Sequence, residues 1–313
     1  MKILLFGRGG QVGWELQRSL SVLGELVALD FDAAANPGQL CGDFANPEGL
    51  AATVRQIAPD LIVNAAAHTA VDKAESEPGF AHTLNASAPA VLAAEATRMG
   101  AWLLHYSTDY VFDGSGSRPW REDDATGPLS VYGRTKLEGE IAVAACPRHI
   151  ILRTSWVYAA RGGNFAKTML RLAQERDSLS VINDQFGAPT SAELLADVSA
   201  HALRAACQQP QLAGLYHCVA GGETSWHAYA GYVLGQAQAL GWKLKAGPAQ
   251  VAALPTSAYP TPARRPLNSR LDTRKLQSAF GLQLPHWQVH ARRMLEEIAP
   301  GQHNANHTTA LRT

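Results

Sequence analysis

Apolar residues in the first half of the chain fall into two alternating patterns. Short unbroken apolar runs are typical of strands buried on both faces, and between them apolar residues recur with the spacing of a helix. Strands that alternate with helices predict a parallel sheet covered by helices on both sides. The predicted strands are residues 3–6, 26–29, 61–67, 102–106 and 150–158, and the predicted helices are 14–23, 89–99 and 132–145.

Three glycines follow the first predicted strand, at positions 7, 10 and 13. A strand, a glycine turn and a helix form the context that a dinucleotide fingerprint requires. Gly7 would make the tight turn, Gly10 would let the backbone approach a pyrophosphate, and Gly13 would allow the helix to pack closely on the strand. The positive end of the helix would then face the phosphates. This predicts a Rossmann-type doubly wound α/β fold that binds NADH or NADPH.

Two residues give opposite indications of which cofactor is preferred. Asp30 ends the second strand, where an acidic residue holds a ribose hydroxyl and favours NADH. Arg8 could instead pair with a 2′-phosphate and admit NADPH, so the sequence leaves the preference open. Asp43 and Phe44 are placed to border an adenine, although a loop aspartate and a core phenylalanine are equally good interpretations.

The third predicted strand ends in small residues, Ala65–Ala67. Alanines at the carboxyl end of a strand let a flat cofactor lie against the backbone, in the crevice where open α/β sheets bind ligands. His68 follows them. We interpret it as a hydrogen-bonding spacer rather than a general base, because no acidic partner is identifiable.

A tyrosine and a lysine four residues apart are the centre of the predicted chemistry. Tyr132 and Lys136 lie on one face of a helix, and a cation beside a phenol lowers its pKa from about 10. Tyr132 could then give a proton to an alkoxide. Thr108, after the fourth strand, could hydrogen-bond a substrate carbonyl, or its hydroxyl could cap its own turn. We predict that these three residues are catalytic.

The alternation of elements fades after residue 158. Residues 190–193 match a capping box that would open a helix to about Ala206, and a helical region is expected at 276–298. We predict a dinucleotide-binding domain at 1–158, to which the chain returns at about 181–220. A smaller C-terminal α/β substrate-binding domain at 159–300 and a disordered tail at 301–313 would follow.

The segment 255–270 contains four prolines and three arginines. A linker in polyproline conformation is one interpretation. The other is a lip over the site, whose guanidinium groups, including that of Arg265, would meet a diphosphate.

The bulk composition argues against several other classes of function. Lys plus Arg and Asp plus Glu both number 27, and the pI is about 7.2, so no large charged surface for nucleic acid or an anionic membrane is expected. The four cysteines form no C-x-x-C pair and fit a reducing compartment. No apolar run approaches membrane-spanning length, and the first residues lack a signal-peptide core. We expect a soluble, cytoplasmic protein.

Longer motifs resemble the extended short-chain dehydrogenase/reductases and, more narrowly, the dTDP-4-dehydrorhamnose reductase family. The likeness runs from Met1 to about Ile298. Besides the glycine turn and the end of the third strand, the motifs that carry it are residues 68–75, 107–112, 132–136, 153–158, 185–190 and 265–269.

The resemblance implies reduction of the C4 ketone of dTDP-4-dehydro-L-rhamnose by NADPH or NADH. The product would be dTDP-L-rhamnose, a precursor of cell-surface polysaccharide such as lipopolysaccharide O-antigen. Tyr132 would be the proton donor, Lys136 would hold the nicotinamide ribose, and Thr108 would bind the ketone. The implied cofactor positions are Gly7, Gly10, Gln11, Val12, Gly13, Asp30, Asp43, Phe44, Ala66, Ala67, Thr69, Tyr106, Tyr132 and Lys136, and the implied substrate positions are Thr108, Asp109, Trp156, Asn164 and Arg265.

Some members of this family are homodimers that hold Mg²⁺ with glutamates at the subunit contact, and Glu15, Glu193 and Glu297 match those positions. Each also has an ordinary structural interpretation. Glu15 is a first-turn carboxylate, Glu193 is the acid of the capping box, and Glu297 lies on a solvated helix face. The homodimer and the metal are thus implied by the resemblance alone.

Other functions are compatible with the same fold. A sugar-nucleotide epimerase would retain its cofactor and show no net oxidation. A regulatory subunit would bind the cofactor and catalyse nothing, and the intact tyrosine–lysine pair argues against it. Related dehydratases have Asp-Glu after the threonine to eliminate water, whereas here Asp109 is followed by Tyr110, which disfavours a dehydratase.

Overall fold

A parallel six-stranded sheet forms the centre of the protein. The computed structural model describes residues 1–300, and the tail predicted at 301–313 lies outside them. The strand order in the sheet is β10-β5-β4-β3-β1-β2, and every neighbouring pair is parallel. The strands of the sheet are β1 (Lys2–Phe6), β2 (Glu25–Leu29), β3 (Leu61–Asn64), β4 (Trp102–Thr108), β5 (His149–Thr154) and β10 (Gly214–His217). The predicted Rossmann-type α/β fold is confirmed.

Helices cover both faces of this sheet, as the alternating pattern predicts. A π-helical turn at Thr83–Ser87 precedes α5. The helices are α1 (Gln11–Ser21), α2 (Pro47–Ile57), α3 (Val71–Ser76), α4 (Pro78–His82), α5 (Ala88–Met99), α6 (Val131–Ala144), α7 (Phe165–Glu175), α8 (Ala192–Gln208), α9 (Trp226–Ala239), α10 (Arg274–Phe280) and α11 (Trp287–Glu297).

Successive strand residues point to opposite faces, which divides the core into two layers. Ile3 and Leu5 pack into the layer that contains α1 and α8. Leu4 and Phe6 pack into the layer that contains α2 and α5. All four side chains are fully buried, so both layers hold the sheet in place and fix the positions of the strand ends.

After β5 the chain returns to the central sheet as β10, and α8 packs on α1. Short strands outside the sheet build a smaller region around α7, α9 and α11. They pair as β7 (Leu179–Ile182) with β12 (Val251–Leu254), β6 (Val157–Tyr158) with β9 (Thr190–Ser191), and β8 (Phe186–Gly187) with β11 (Thr224–Ser225). The exact division into two domains stays a prediction.

Two strands end earlier than the apolar runs indicate. β3 stops at Asn64, because the side-chain oxygen of Asn64 accepts a hydrogen bond from the backbone N–H of Ala66 and turns the chain. The run 150–158 is interrupted after Thr154. Trp156 has a positive φ of 50°, a conformation that no strand contains.

The structure also corrects two predicted helix boundaries. Ser191, not Thr190, is the N-cap of α8, and its hydroxyl accepts from the N–H of Leu194. Position N3 is then Leu194 rather than Glu193, so the predicted capping box at 190–193 is wrong. The closing helical region consists of two helices, because Gly281 ends α10 in the left-handed conformation.

A buried ion pair joins α6 to the sheet. The guanidinium of Arg153 on β5 donates to both carboxylate oxygens of Glu140 on α6, at 2.9 and 2.7 Å. The two side chains are 4% and 6% exposed. A buried pair of this geometry is costly to break from one side, because the remaining charge has no partner.

We expect Glu140→Ala to lower the free energy of unfolding by about 3–5 kcal/mol, since it leaves Arg153 charged and unpaired in the core. The matched control is Glu175→Ala, which breaks the exposed Arg171–Glu175 pair and should cost less than about 1 kcal/mol. Urea denaturation measures both. Equal costs for the two variants would contradict a stabilising role of the buried pair.

Candidate active site

The carboxyl ends of the parallel strands meet at one edge of the sheet, and a cavity of about 780 Å³ lies there. Its wall contains most of the residues predicted from the sequence. These are Gly7, Gly10, Gln11, Val12, Asp30, Asp43, Phe44, Ala66, Ala67, Thr69, Tyr106, Thr108, Asp109, Tyr132, Lys136 and Trp156. Gly13, Asn164 and Arg265 do not line it.

The glycine turn has the shape that a dinucleotide needs. Gly7 has a φ of 83°, and a Cβ there would lie 2.7 Å from the backbone nitrogen of Ala66. A Cβ on Gly13 would overlap the carbonyl oxygen of Gly7, so Gly13 allows α1 to start close to β1. A Cβ on Gly10 would meet only the Gly7 oxygen, at 3.4 Å. The space over Gly10 is therefore open to a ligand.

Asp30 lines the cavity whereas Arg8 does not, and the two do not pair with each other. The Asp30 carboxylate accepts from the N–H of Phe31 and lies over Gly9. The guanidinium of Arg8 donates to the carbonyl oxygen of Ala35 at 2.5 Å. Asp30 therefore has the placement expected for contact with a ribose.

Phe44 and His68 have structural roles that the sequence left open. Phe44 lines the cavity, but it is also 4% exposed and packs edge-on against Phe6, so both interpretations of this residue apply. The imidazole of His68 packs against Phe80, and the backbone of His68 is held by the side chain of Asn85. His68 is not part of the cavity wall.

Helix α6 brings Tyr132 and Lys136 to the cavity. The hydroxyl of Ser130 caps this helix by accepting from the N–H of Gly133. A Cβ on Gly133 would overlap the carbonyl oxygen of Tyr110, and one on Gly139 would overlap that of Asn85. Two residues without side chains thus let α6 lie against the turn that follows β4 and against the π-helical turn before α5.

Tyr132 keeps its proton at neutral pH. Burial raises the pKa of Tyr132 to about 12, against a lowering by the nearby Thr108 hydroxyl. The lowering by Lys136 that we expected from the sequence is not found. The Lys136 ammonium donates instead to the backbone oxygen of Tyr106, at 2.6 Å, and burial lowers the pKa of Lys136 to about 8.

Thr108 has one of the two roles considered for it, and the other stays a prediction. Its hydroxyl accepts from the N–H of Tyr110 at 3.2 Å, so it caps its own turn. The same hydroxyl donates to Asp109 at 3.1 Å and lies beside Tyr132. Burial raises the pKa of Asp109 to about 6. A carbonyl oxygen entering here would meet two hydroxyl groups in a site shielded from water.

The structure adds an aromatic wall that the sequence did not predict. Trp226, from α9, stacks on Trp156 with ring centroids 3.6 Å apart, and both line the cavity. A Cβ on Gly187 would lie 2.9 Å from the Trp156 ring, so the indole is held between Gly187 and Trp226. Trp226 lies 70 residues beyond Trp156, at the start of α9, and no local signal marks it.

Two predicted substrate residues are engaged elsewhere. The amide of Asn164 caps α7, and it donates to the side chain of Gln11 and to the Ala159 carbonyl. The guanidinium of Arg265 pairs with Asp72 of α3 at 2.8 Å, and Arg265 is not part of the cavity wall. This pair joins the 255–270 segment to α3, and contact of Arg265 with a diphosphate stays a prediction.

The three glutamates predicted as metal ligands do not form a metal site in the single chain. Burial raises the pKa of Glu15, and the charges of Glu193 and Glu297 add to it, so the three lie in one region. Glu193 is paired with Arg293 at 3.2 Å. Within residues 1–300 no cluster of three or more metal-binding side chains is present.

The family is decided by comparison with known proteins. The model described as RmlD substrate binding domain matches residues 1–299. A dTDP-4-dehydrorhamnose reductase from Shigella flexneri is 62% identical over 299 residues, which cover 95% of this chain and 98% of that protein. The chain belongs to the dTDP-4-dehydrorhamnose reductase family.

Solved structures of the family have the same fold over their whole length. The reductase from Clostridium acetobutylicum is 34% identical with a TM-score of 0.82, covering 95% of this chain and 98% of that one. The reductase from Bacillus anthracis, solved in complex with NADP, is 31% identical with a TM-score of 0.82, covering 95% and 99%. A nicotinamide cofactor fits the glycine turn described above.

No helix within the described part of the chain combines the length and the apolar character needed to cross a membrane.

Alanine at position 10 and alanine at position 13 should have different effects, because different atoms surround Gly10 and Gly13. Gly10→Ala should fold normally and bind NADPH at least about tenfold more weakly, because the methyl group fills ligand space at a cost of roughly 1.4 kcal/mol. Gly13→Ala should lower the stability itself by about 1–3 kcal/mol. Fluorescence titration with NADPH and thermal unfolding separate the two effects. The control is Gly163→Ala, which has no neighbouring atom within 4 Å. Normal NADPH affinity in Gly10→Ala would contradict the assignment.

Proposed function

We propose that this protein reduces the C4 ketone of dTDP-4-dehydro-L-rhamnose to dTDP-L-rhamnose, with Tyr132, Thr108 and Lys136 as its catalytic residues. The observation that carries the proposal is the meeting of the Tyr132 and Thr108 hydroxyls in a buried site beside the glycine turn. Relatives 60–62% identical over 95% of the chain are dTDP-4-dehydrorhamnose reductases. The epimerase and the regulatory subunit have no such support.

The proposed reaction follows from the protonation states of the site. A nicotinamide cofactor held at the glycine turn and Lys136 would supply a hydride to C4. As C4 becomes tetrahedral, the electron pair of the C=O bond moves to the oxygen, and the Tyr132 hydroxyl gives that oxygen its proton. The Thr108 hydroxyl, which donates to Asp109 in the free site, would turn its single proton to the same oxygen and hold it in place. Both hydroxyls act in a desolvated site, where they stabilise developing negative charge more than water would.

Lys136 would hold the nicotinamide ribose and supply positive charge near the tyrosinate that forms. Its stem is buried, and its ammonium is already fixed by the Tyr106 carbonyl.

The aromatic pair of Trp156 and Trp226 would form the wall against which the sugar nucleotide packs. Asp109 would hydrogen-bond a sugar hydroxyl, since Asp109 Oδ2 is buried without a hydrogen-bond partner among the described residues. Every residue given a role here belongs to one chain. The homodimer, the Mg²⁺ and the cytoplasmic location stay predictions.

Replacement of Tyr132 by Phe should lower kcat by roughly 10²–10⁴-fold, because it removes the proton donor. NADPH affinity should be unchanged, since the ring stays in place. Loss of nicotinamide absorbance with dTDP-4-dehydrorhamnose, run with NADPH and with NADH, measures the rate. Tyr259→Phe, at an exposed tyrosine, is the control. Full turnover by Tyr132→Phe would exclude the assignment.

The rate of reduction should fall at alkaline pH, as Lys136 loses its proton. The pKa of Lys136 is lowered to about 8, so the ammonium is present below that pH and lost above it. Tyr132, with a pKa of about 12, does not titrate in this range. A profile of kcat/KM against pH should therefore bend near pH 8. A profile that stays flat up to the ordinary lysine pKa of about 10.4 would contradict this.

A further inference from the structure

A histidine lies behind the catalytic lysine, inside the sheet. His105 is in the middle of β4 and is 1% exposed. Strand pairing places Asn64 of β3 opposite it, and its ring points toward α6, where the Nε2 atom lies 3.4 Å from Nζ of Lys136. Burial and the charge of Lys136 hold the pKa of His105 well below its usual value, so the ring is neutral.

The hydrogen bonds of Asn64 determine which nitrogen of that ring carries the proton. The Asn64 oxygen accepts from the backbone N–H of Ala66 at 3.0 Å. Its amide NH₂ therefore faces Nδ1 of His105, also at 3.0 Å. An NH₂ group only donates, so Nδ1 is the acceptor, and a neutral imidazole then carries its proton on Nε2.

That proton points at a second group that only donates. The ammonium of Lys136 has three N–H donors and no lone pair, and 3.4 Å is longer than the roughly 2.7–2.9 Å of a charge-assisted hydrogen bond. The imidazole therefore does not bond to the ammonium. The ammonium hydrogens can therefore bond to the backbone oxygen of Tyr106, at 2.6 Å, and to groups in the cavity.

We propose that His105, oriented by Asn64, is a positioning residue of the active site, whose Nε2–H faces Lys136 and directs the ammonium toward the Tyr106 carbonyl and the cavity. The proposal rests on the function assigned to Lys136 above. It also connects the lysine to the backbone at Ala66, which lines the cofactor end of the same cavity.

The Nε2–H group of His105 should affect the pKa of Lys136. It repels the charged ammonium but can donate to the neutral amine, so it should lower the pKa of Lys136, as burial does. The other titratable groups near the ammonium are Tyr132 and Glu140 of its own helix. Glu140 raises the pKa of Lys136 but is itself paired with Arg153.

Charged groups from the remaining elements packed on α6 contact other parts of the helix. Glu75 of α3 accepts from the N–H of Val131, and His82 of α4 pairs with Glu138. His105 is therefore the titratable group from a neighbouring element that faces Lys136 directly.

The tautomer of His105 can be read without any turnover, from long-range ¹H–¹⁵N correlation spectra of protein labelled with ¹⁵N-histidine. His105→Gln assigns the signal by its loss. We expect a neutral ring with the proton on Nε2. In Asn64→Asp the carboxylate accepts from the ring, and the proton should move to Nδ1. A native ring protonated on Nδ1, or on both nitrogens, would overturn the proposal while leaving the proposed function intact.

Kinetics tests the effect on Lys136. His105→Phe should lower kcat roughly tenfold to a hundredfold through loss of positioning, with KM for the sugar nucleotide unchanged. The alkaline limb of its pH profile, where the rate falls, should move to higher pH, because the Nε2–H that faces the ammonium is gone. His105→Gln should recover most of kcat, since its amide oxygen can accept from Asn64 while its NH₂ faces the ammonium as Nε2–H does, and its alkaline limb should stay near that of the native enzyme.

The matched control is His149→Gln. His149 starts the neighbouring strand β5 at the opposite end of the sheet, so this variant should keep the native kcat and pH profile. A merely structural role of His105 would change stability without moving the alkaline limb. An unmoved limb in His105→Phe therefore overturns the proposal, and if that variant does not fold, the tautomer of His105 in the native protein decides it.

Discussion

The close approach of α6 to the turn after β4 and to the π-helical turn before α5 is the constraint on which the site depends. Backbone oxygens of Tyr110 and Asn85 lie where side chains at Gly133 and Gly139 would be, so any larger residue at either position would push the helix away. The buried pair of Glu140 and Arg153 then holds the helix at that distance. The Tyr132 hydroxyl reaches Thr108 only because this contact is so close.

Burial determines how the titratable groups of the site behave. Removal from water disfavours a charge, so it raises the pKa of a phenol or a carboxyl and lowers that of an ammonium. Tyr132 and Asp109 shift upward and Lys136 shifts downward for this same reason. The result is a proton donor that is loaded at neutral pH, next to an amine whose proton is held less tightly than in water.

Much of the fold and of the site could be predicted, because the relevant signals are local in sequence. The apolar runs mark the parallel strands, and their carboxyl ends necessarily share an edge, so the glycine turn, Ala66 and Thr108 come together. Helical spacing alone places Tyr132 and Lys136 on one face.

What could not be predicted depends on contacts between distant segments. Trp226 reaches the cavity only through the packing of α9, and nothing in its own neighbourhood indicates it. The apolar run around Trp156 resembles an unbroken strand, although the residue has a positive φ and its ring is held by Gly187 and Trp226. Spacing likewise gives no direction for the Lys136 ammonium, which is fixed by the Tyr106 carbonyl and faced by His105.

A crystal structure of the protein with NADPH and dTDP-L-rhamnose would test the central claim most directly. The account predicts that O4 of the sugar lies within about 2.6–3.2 Å of both the Tyr132 and the Thr108 hydroxyl, with the nicotinamide ring against C4 and its ribose on Lys136. A sugar bound with O4 away from Tyr132, or a nicotinamide outside the edge formed by the glycine turn and Ala66, would contradict it.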